Sequence, residues 1–99
     1  MTLKQLYKII EDRKKKIPPG SYVASLFKAG QDQIIQKVGE EAVEVVIAAN
    51  KESRERIISE TADLIFHLLV MLSLFKIKPS EILKELDRRT LLKGAGRPK

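Results

Sequence analysis

The 99-residue sequence has no cysteine, no tryptophan, one histidine and only five aromatic residues. Without cysteine there is no disulfide framework and no thiolate metal site, so any metal must be held by oxygen or nitrogen ligands, and a reducing cytoplasm suits the composition. Long apolar runs are also missing. The most apolar window, Leu64 to Phe75, is about 12 residues against the ~20 that a membrane span needs, and His67 and Ser73 interrupt it. It reads as a core helix, with no membrane partner expected. Met1-Thr2-Leu3-Lys4-Gln5 lacks the apolar core of a secretory signal, which adds to the expectation of a cytoplasmic protein. No alternation of Val, Ile and Thr survives as a strand, and no internal repeat is evident. The formal charge of +6 would suit nucleic acid, an acidic surface or a polyphosphate small molecule. Too few aromatics are interleaved with the basic residues to favour nucleic acid, and none is expected as a partner.

What is present is helical periodicity. Thr2-Leu3-Lys4-Gln5 has the form of a capping box, and Leu3, Leu6, Tyr7 and Ile10 follow at helical spacing, so a first helix is expected from about Leu3 to Arg13. Lys14 to Gly20, with Pro18 and Pro19, reads as a loop. Ser21 is placed to cap a short helix that Gly30 closes, and Asp32 to cap a long one from about Gln33 to Ala49, with Asn50 as its C-cap. After a short connection, a third long helix is expected from about Arg54 to Leu74, and Ser80 is placed to cap a last one carrying Ile82, Leu83, Leu86 and Leu91 on one side. The expected layout is one all-α domain over residues 1–91 and a basic, flexible tail over 92–99. A core this small beside such apolar segments implies that a second copy buries part of the surface.

Two acidic patterns interrupt the most apolar helices. At about 100° per residue, Glu40, Glu41 and Glu44 fall within one arc that also holds Lys37, and Glu60 and Asp63 share an arc with Arg56 and His67. A tight antiparallel hairpin would bring the two patches together, with up to five carboxylates around one small volume. Carboxylates crowded together repel and lose hydration, so the arrangement calls for a cation. The donors suit a hard one, Mg²⁺ or Mn²⁺, whose open water positions phosphate oxygens could take. Metal-assisted hydrolysis would follow. A di-iron bundle needs Glu-x-x-His pairs that this chain lacks. Lys37 and Arg56 either hold phosphate oxygens or pair with their acidic neighbours one turn on. His67 is a possible ligand but more ordinarily a satisfied core residue, and Lys14-Lys15-Lys16 reads as solvating charge.

Three segments carry a resemblance: Ser21 to Phe27 (SYVASLF), Lys37 to Ala49 (KVGEEAVEVVIAA) and Glu60 to Val70 (ETADLIFHLLV). Together they resemble the phosphoribosyl-ATP pyrophosphohydrolases of histidine biosynthesis, within the MazG-like all-α nucleotide pyrophosphohydrolases. The likeness covers about residues 3 to 90. It implies a four-to-five helix bundle of the MazG-like type completed by dimerisation. It also implies that Glu40, Glu41, Glu44, Glu60 and Asp63 bind Mg²⁺, with Glu40, Glu41 and Glu44 taking catalytic parts. Lys37, and on the reading above Arg56, would meet substrate phosphate. The implied reaction is hydrolysis between the α and β phosphates of N1-(5-phosphoribosyl)-ATP, giving phosphoribosyl-AMP and pyrophosphate. A tyrosine is expected where Phe66 stands, and the tail from Leu92 has no counterpart in the family pattern. A neighbouring function would be cleavage of noncanonical nucleoside triphosphates, and a distant one a basic helical module binding nucleic acid.

Overall fold

Thr2 starts the first helix, α1 (Leu3–Lys16), by accepting from the Gln5 amide at 3.1 Å while the Gln5 side chain accepts from the Thr2 amide at 2.8 Å. Both halves of the capping box are made. In this computed structural model, which describes residues 1–51 and 53–93 and the side chains of 1–51 and 53–89, α1 runs one turn further than expected. The lysines at 14 to 16 are good helix formers, and their charge sits at the negative end of the helix dipole. Ile17 ends it at φ 49°, donating to the Arg13 carbonyl at 2.9 Å, and Pro18 follows. The expected loop is therefore only its second half.

Ser21 caps α2 (Tyr22–Ala29), accepting from the Ala24 amide at 3.1 Å. Gly30 then makes a sharp turn. At φ 104° and ψ −179°, a combination essentially restricted to glycine, its amide closes α2 onto Leu26 and its carbonyl accepts from Ile34 to open the next helix. α3 (Gln31–Lys51) therefore starts two residues early, and Asp32 lies in its first turn instead of capping it. Asn50 likewise stays helical, its side chain donating to the Val46 carbonyl at 2.9 Å. Ser53 caps α4 (Arg54–Leu74), whose bounds agree with those expected.

α4 closes with the 6→1 and 5→2 bonds of a Schellman motif, Ile77 to Leu72 at 2.9 Å and Lys76 to Ser73 at 3.1 Å, with Lys76 at φ 59° where glycine is usual. Pro79, not Ser80, leads α5 (Pro79–Lys93). Proline suits the first helical position, and Glu81 accepts from the Lys78 amide at 2.9 Å. Leu91 and the tail residues 94–99 lie outside the described side chains and residues respectively. All five described elements are helices, and no strand occurs among the described residues.

The core sits at one end. Ile10, Val23, Leu26, Ile34, Leu69 and Val70 are buried where α1 and α2 meet the start of α3 and the end of α4, with Leu6, Tyr7, Phe27 and Phe66 packed around them. The remainder of α3 and α4 forms an antiparallel hairpin that projects beyond it. The radius of gyration is 15.1 Å, against about 13 Å for a compact chain of this length. α3 is not buried all round. Its outer face shows Val43 at 57% exposure and Val46 at 59%, with Ile35 and Ile47 also exposed. α4 as a whole, at 21 residues and a hydropathy of 1.7 in its most apolar stretch, has the length and composition of a membrane span, although its apolar core alone falls short. Glu60 and Asp63 within it are what a bilayer would penalise.

A polar clamp joins α1 to α4. Ser73, fully buried, donates its hydroxyl to Glu11, and Lys14 donates to the Ser73 carbonyl at 2.8 Å while pairing with Glu11 at 3.1 Å. The Lys14 ammonium also lies 5.6 Å from the centre of the Phe27 ring. Lys14 is thus part of the packing and not solvating charge. Burial acts to raise the Glu11 pKa, but the bonds from Ser73 and Lys14 outweigh it and hold the carboxyl below its usual value. A depressed carboxyl stabilises the fold above its unfolded pKa, and that stability is lost as pH falls through the folded value. Thermal melts from pH 7 downward should show this acid limb in the native protein and a smaller one in Glu11→Gln. Ser73→Ala should cost about 1 kcal/mol at neutral pH.

Candidate metal and phosphate site

The hairpin turns its acids inward. Ile34 and Ala48, at 1% and 0% exposure, mark the face of α3 that meets α4, and Lys37, Glu41 and Glu44 lie on that same side by helical phase. Glu41, Glu60 and Asp63 each offer one carboxylate oxygen, and the three oxygens lie within 4.8 Å of one another. Two of these acids have little access to water, while Asp63 is exposed. The Glu41 side chain is 13% exposed and that of Glu60 11%.

Two basic residues flank them. Lys37 lies 3.4 Å from Glu41 and 3.6 Å from Glu40, and Arg56 lies 3.2 Å from Glu60. Burial acts to lower the Lys37 pKa, but the bond to Glu41 and the charges of Glu41 and Glu40 outweigh it, so the ammonium is held above its ordinary value. Both basic residues pair with their acidic neighbours, one of the two readings open from the sequence. Such pairs also leave them beside any phosphate that approached.

Two of the five expected carboxylates stand outside the cluster of three. Glu40 points to solvent, half exposed, where Gln36 donates to it at 2.8 Å and Lys37 pairs with it. Those contacts, Gln36 foremost, hold its pKa low. Glu44 is half-buried one turn beyond Glu41 and has no hydrogen bond or ion pair among the described residues.

His67 has both ring nitrogens engaged. Nδ1 lies 2.8 Å from the Asp63 carbonyl, which can only accept, so Nδ1 carries the proton. In the neutral ring Nε2 then accepts from the Tyr22 hydroxyl at 3.0 Å. His67 is a satisfied buried residue in this arrangement and not a ligand. Tyr22 is what the acidic patterns missed. It lies about 40 residues from Glu60 and Asp63 in sequence, and the turn at Gly30 carries the start of α2 back against α4.

An all-α bundle whose longest hairpin converges carboxylates beside two cationic side chains suits a class, that of the all-α phosphohydrolases. A family model described as phosphoribosyl-ATP pyrophosphohydrolase matches residues 3–90. A phosphoribosyl-ATP pyrophosphatase of Metallosphaera sedula is 54% identical over 87 residues, covering 88% of this chain and 94% of the relative. Proteins of the same name from Geobacter sulfurreducens and Saccharolobus solfataricus are 52% and 51% identical. These alignments cover 88% and 86% of this chain and 81% and 90% of the respective relatives. The chain belongs to the phosphoribosyl-ATP pyrophosphohydrolase family, and is an enzyme of the hydrolase class.

The cluster predicts which carboxylates a cation needs. In a Mn²⁺ titration followed by calorimetry, Glu41→Gln, Glu60→Gln and Asp63→Asn should each weaken binding by roughly tenfold or more, because each removes one of three converging oxygens. Glu40→Gln should stay within about twofold.

Proposed function

We propose that the protein hydrolyses N1-(5-phosphoribosyl)-ATP between its α and β phosphates, as the second step of histidine biosynthesis, with Mg²⁺ or Mn²⁺ as cofactor. The observation that carries this reading is the convergence of Glu41, Glu60 and Asp63 within 4.8 Å in a member of this family. The donors are all carboxylate oxygens, which suits a hard divalent ion. Oxygens on opposite sides of Mg²⁺ are about 4.2 Å apart, so small side-chain rotations would let all three reach one ion. Glu44, otherwise unpartnered and on the same helix face, would be a fourth donor. Glu40 would act from the rim by fixing Lys37. When bound, such an ion neutralises polyphosphate and provides an activated water.

The chain's own residues account for the rest. Lys37, held charged across the neutral range, and Arg56 would each meet a phosphate oxygen and so orient the α–β linkage. A carboxylate of Glu41 or Glu44 not spent on the ion would accept the proton of the attacking water. Water adds to phosphorus, the bridging oxygen leaves with the β phosphate, and phosphoribosyl-AMP and pyrophosphate result.

The same reading takes the enzyme to be a homodimer. Ile35, Val43 and Val46 form an exposed apolar stripe on the back of α3, and a Cβ added at Gly39, in the same stripe, would meet nothing within 4 Å. On α4, Ile58 and Ile65 are also exposed. Glycine inside a helix costs about 1 kcal/mol relative to alanine, and here it leaves room for a second helix to approach closely. Glu60 and Asp63, which a bilayer would penalise, favour this use of the apolar surface of α4 over a membrane, in keeping with a cytoplasmic location.

Purified protein with phosphoribosyl-ATP and Mg²⁺ should release pyrophosphate, with dCTP, dUTP and ITP cleaved far less. Chelation should stop the reaction, and Glu41→Gln or Asp63→Asn should abolish it while circular dichroism stays helical. Cleavage of the other triphosphates alone would move the function to nucleotide-pool cleaning. Val46→Lys should convert a dimer to a monomer in sedimentation analysis, and a wild-type monomer would overturn the dimer reading.

A further inference from the structure

Tyr22 is tied to the acidic site yet left in the open. Its hydroxyl is committed inward to His67 at 3.0 Å, and His67 is itself held on the Asp63 carbonyl at 2.8 Å. The phenol ring lies against Phe66, with centroids 6.0 Å apart and planes inclined by 26°, and meets His67 edge-on at 80°. The contacts therefore form a short chain. It runs from Tyr22 through His67 to the backbone of Asp63, whose carboxylate lies with those of Glu41 and Glu60 in the converging cluster. Tyr22 stands at the end of this chain with half its surface, 51%, still exposed.

That combination is wasteful for stability. A tyrosine whose hydroxyl and one face are taken, and which is still half exposed, presents its other ring face to water. Fixing the ring costs side-chain entropy that little burial repays. For recognition the same arrangement is favourable, because a ring already held in place loses little further freedom when a flat partner stacks on it. The substrate class of the preceding section carries one flat group, a purine, tethered through ribose to the phosphates.

We infer that the open face of Tyr22 is the platform on which the purine ring of the substrate stacks, with Phe66 backing the ring and His67 fixing its rotamer. This rests on the function proposed above and adds a specificity residue to the same site. Stacking present in both ground and transition states is uniform binding, so its removal raises KM and leaves kcat nearly unchanged.

The test is steady-state pyrophosphate release from phosphoribosyl-ATP by Tyr22→Phe, Tyr22→Trp, Tyr22→Leu and Tyr22→Gln. Phe and Trp keep an aromatic face and should hold KM within about threefold of wild type. Leu and Gln should raise KM about tenfold, the size of one base–aromatic stack, with kcat within a few-fold. Mn²⁺ affinity of all four should match wild type. All four should stay folded but melt somewhat lower, because the buried His67 Nε2 loses its hydroxyl partner. The exposed position makes Gln a second non-aromatic variant if Leu does not fold. Wild-type KM in the Leu or Gln variant overturns the inference. So does a Phe variant as impaired as Leu, since the hydroxyl and not the ring face would then matter. An inactive wild type would instead overturn the function proposed above, and this platform with it.

Discussion

Three carboxylates brought within 4.8 Å of one another between two apolar helices is the constraint on which the rest of the molecule depends. Like charges at that spacing repel, and the nearly buried settings of Glu41 and Glu60 deny those two the water that would screen the repulsion. The fold answers locally with Lys37 beside Glu41 and Arg56 beside Glu60. It answers globally by anchoring the hairpin at one end, where the compact core holds α3 and α4 in register. Without that anchor the acids would separate into water.

Inward acids turn the usual arrangement of a helical hairpin around. An ordinary amphipathic pair buries apolar faces and exposes polar ones. Here polar groups occupy part of the shared seam, so much of the apolar surface of α3 and α4 is displaced outward, to Val43, Val46, Ile58 and Ile65. An elongated chain with an exposed apolar back follows from where the charges had to go. The clamp of Glu11, Lys14 and Ser73 belongs to the same logic, since it fixes α1 against the far end of α4 and so steadies the base of the lever.

Sequence patterns were most legible where they were local. Thr2 with Gln5 gave the first cap, and Ser21 gave another, because a cap is decided by residues three apart. The misses were also local, but competitive. Asp32 had the chemistry of an N-cap and lost to Gly30, whose backbone could serve two helices at once. Ser80 lost to a proline-led start at Pro79. In the site, the spacing of Glu41, Glu60 and Asp63 carried the cluster. The same spacing could not separate Glu40, which turns to solvent, from Glu41 one residue on.

Composition and periodicity by themselves determined an all-α chain, the bounds of α4 and the identity of the acidic motifs, since these depend on residues within a turn or two of each other. Tertiary structure alone decided which carboxylates converge, that Lys14 is a clamp residue, and that Tyr22 joins His67 at the edge of the site. The last two contacts link residues 45 or 59 positions apart in the chain, and no periodicity within one helix encodes the distance to another. Chain connectivity through the turn at Gly30 and the length of the α3–α4 hairpin set that distance.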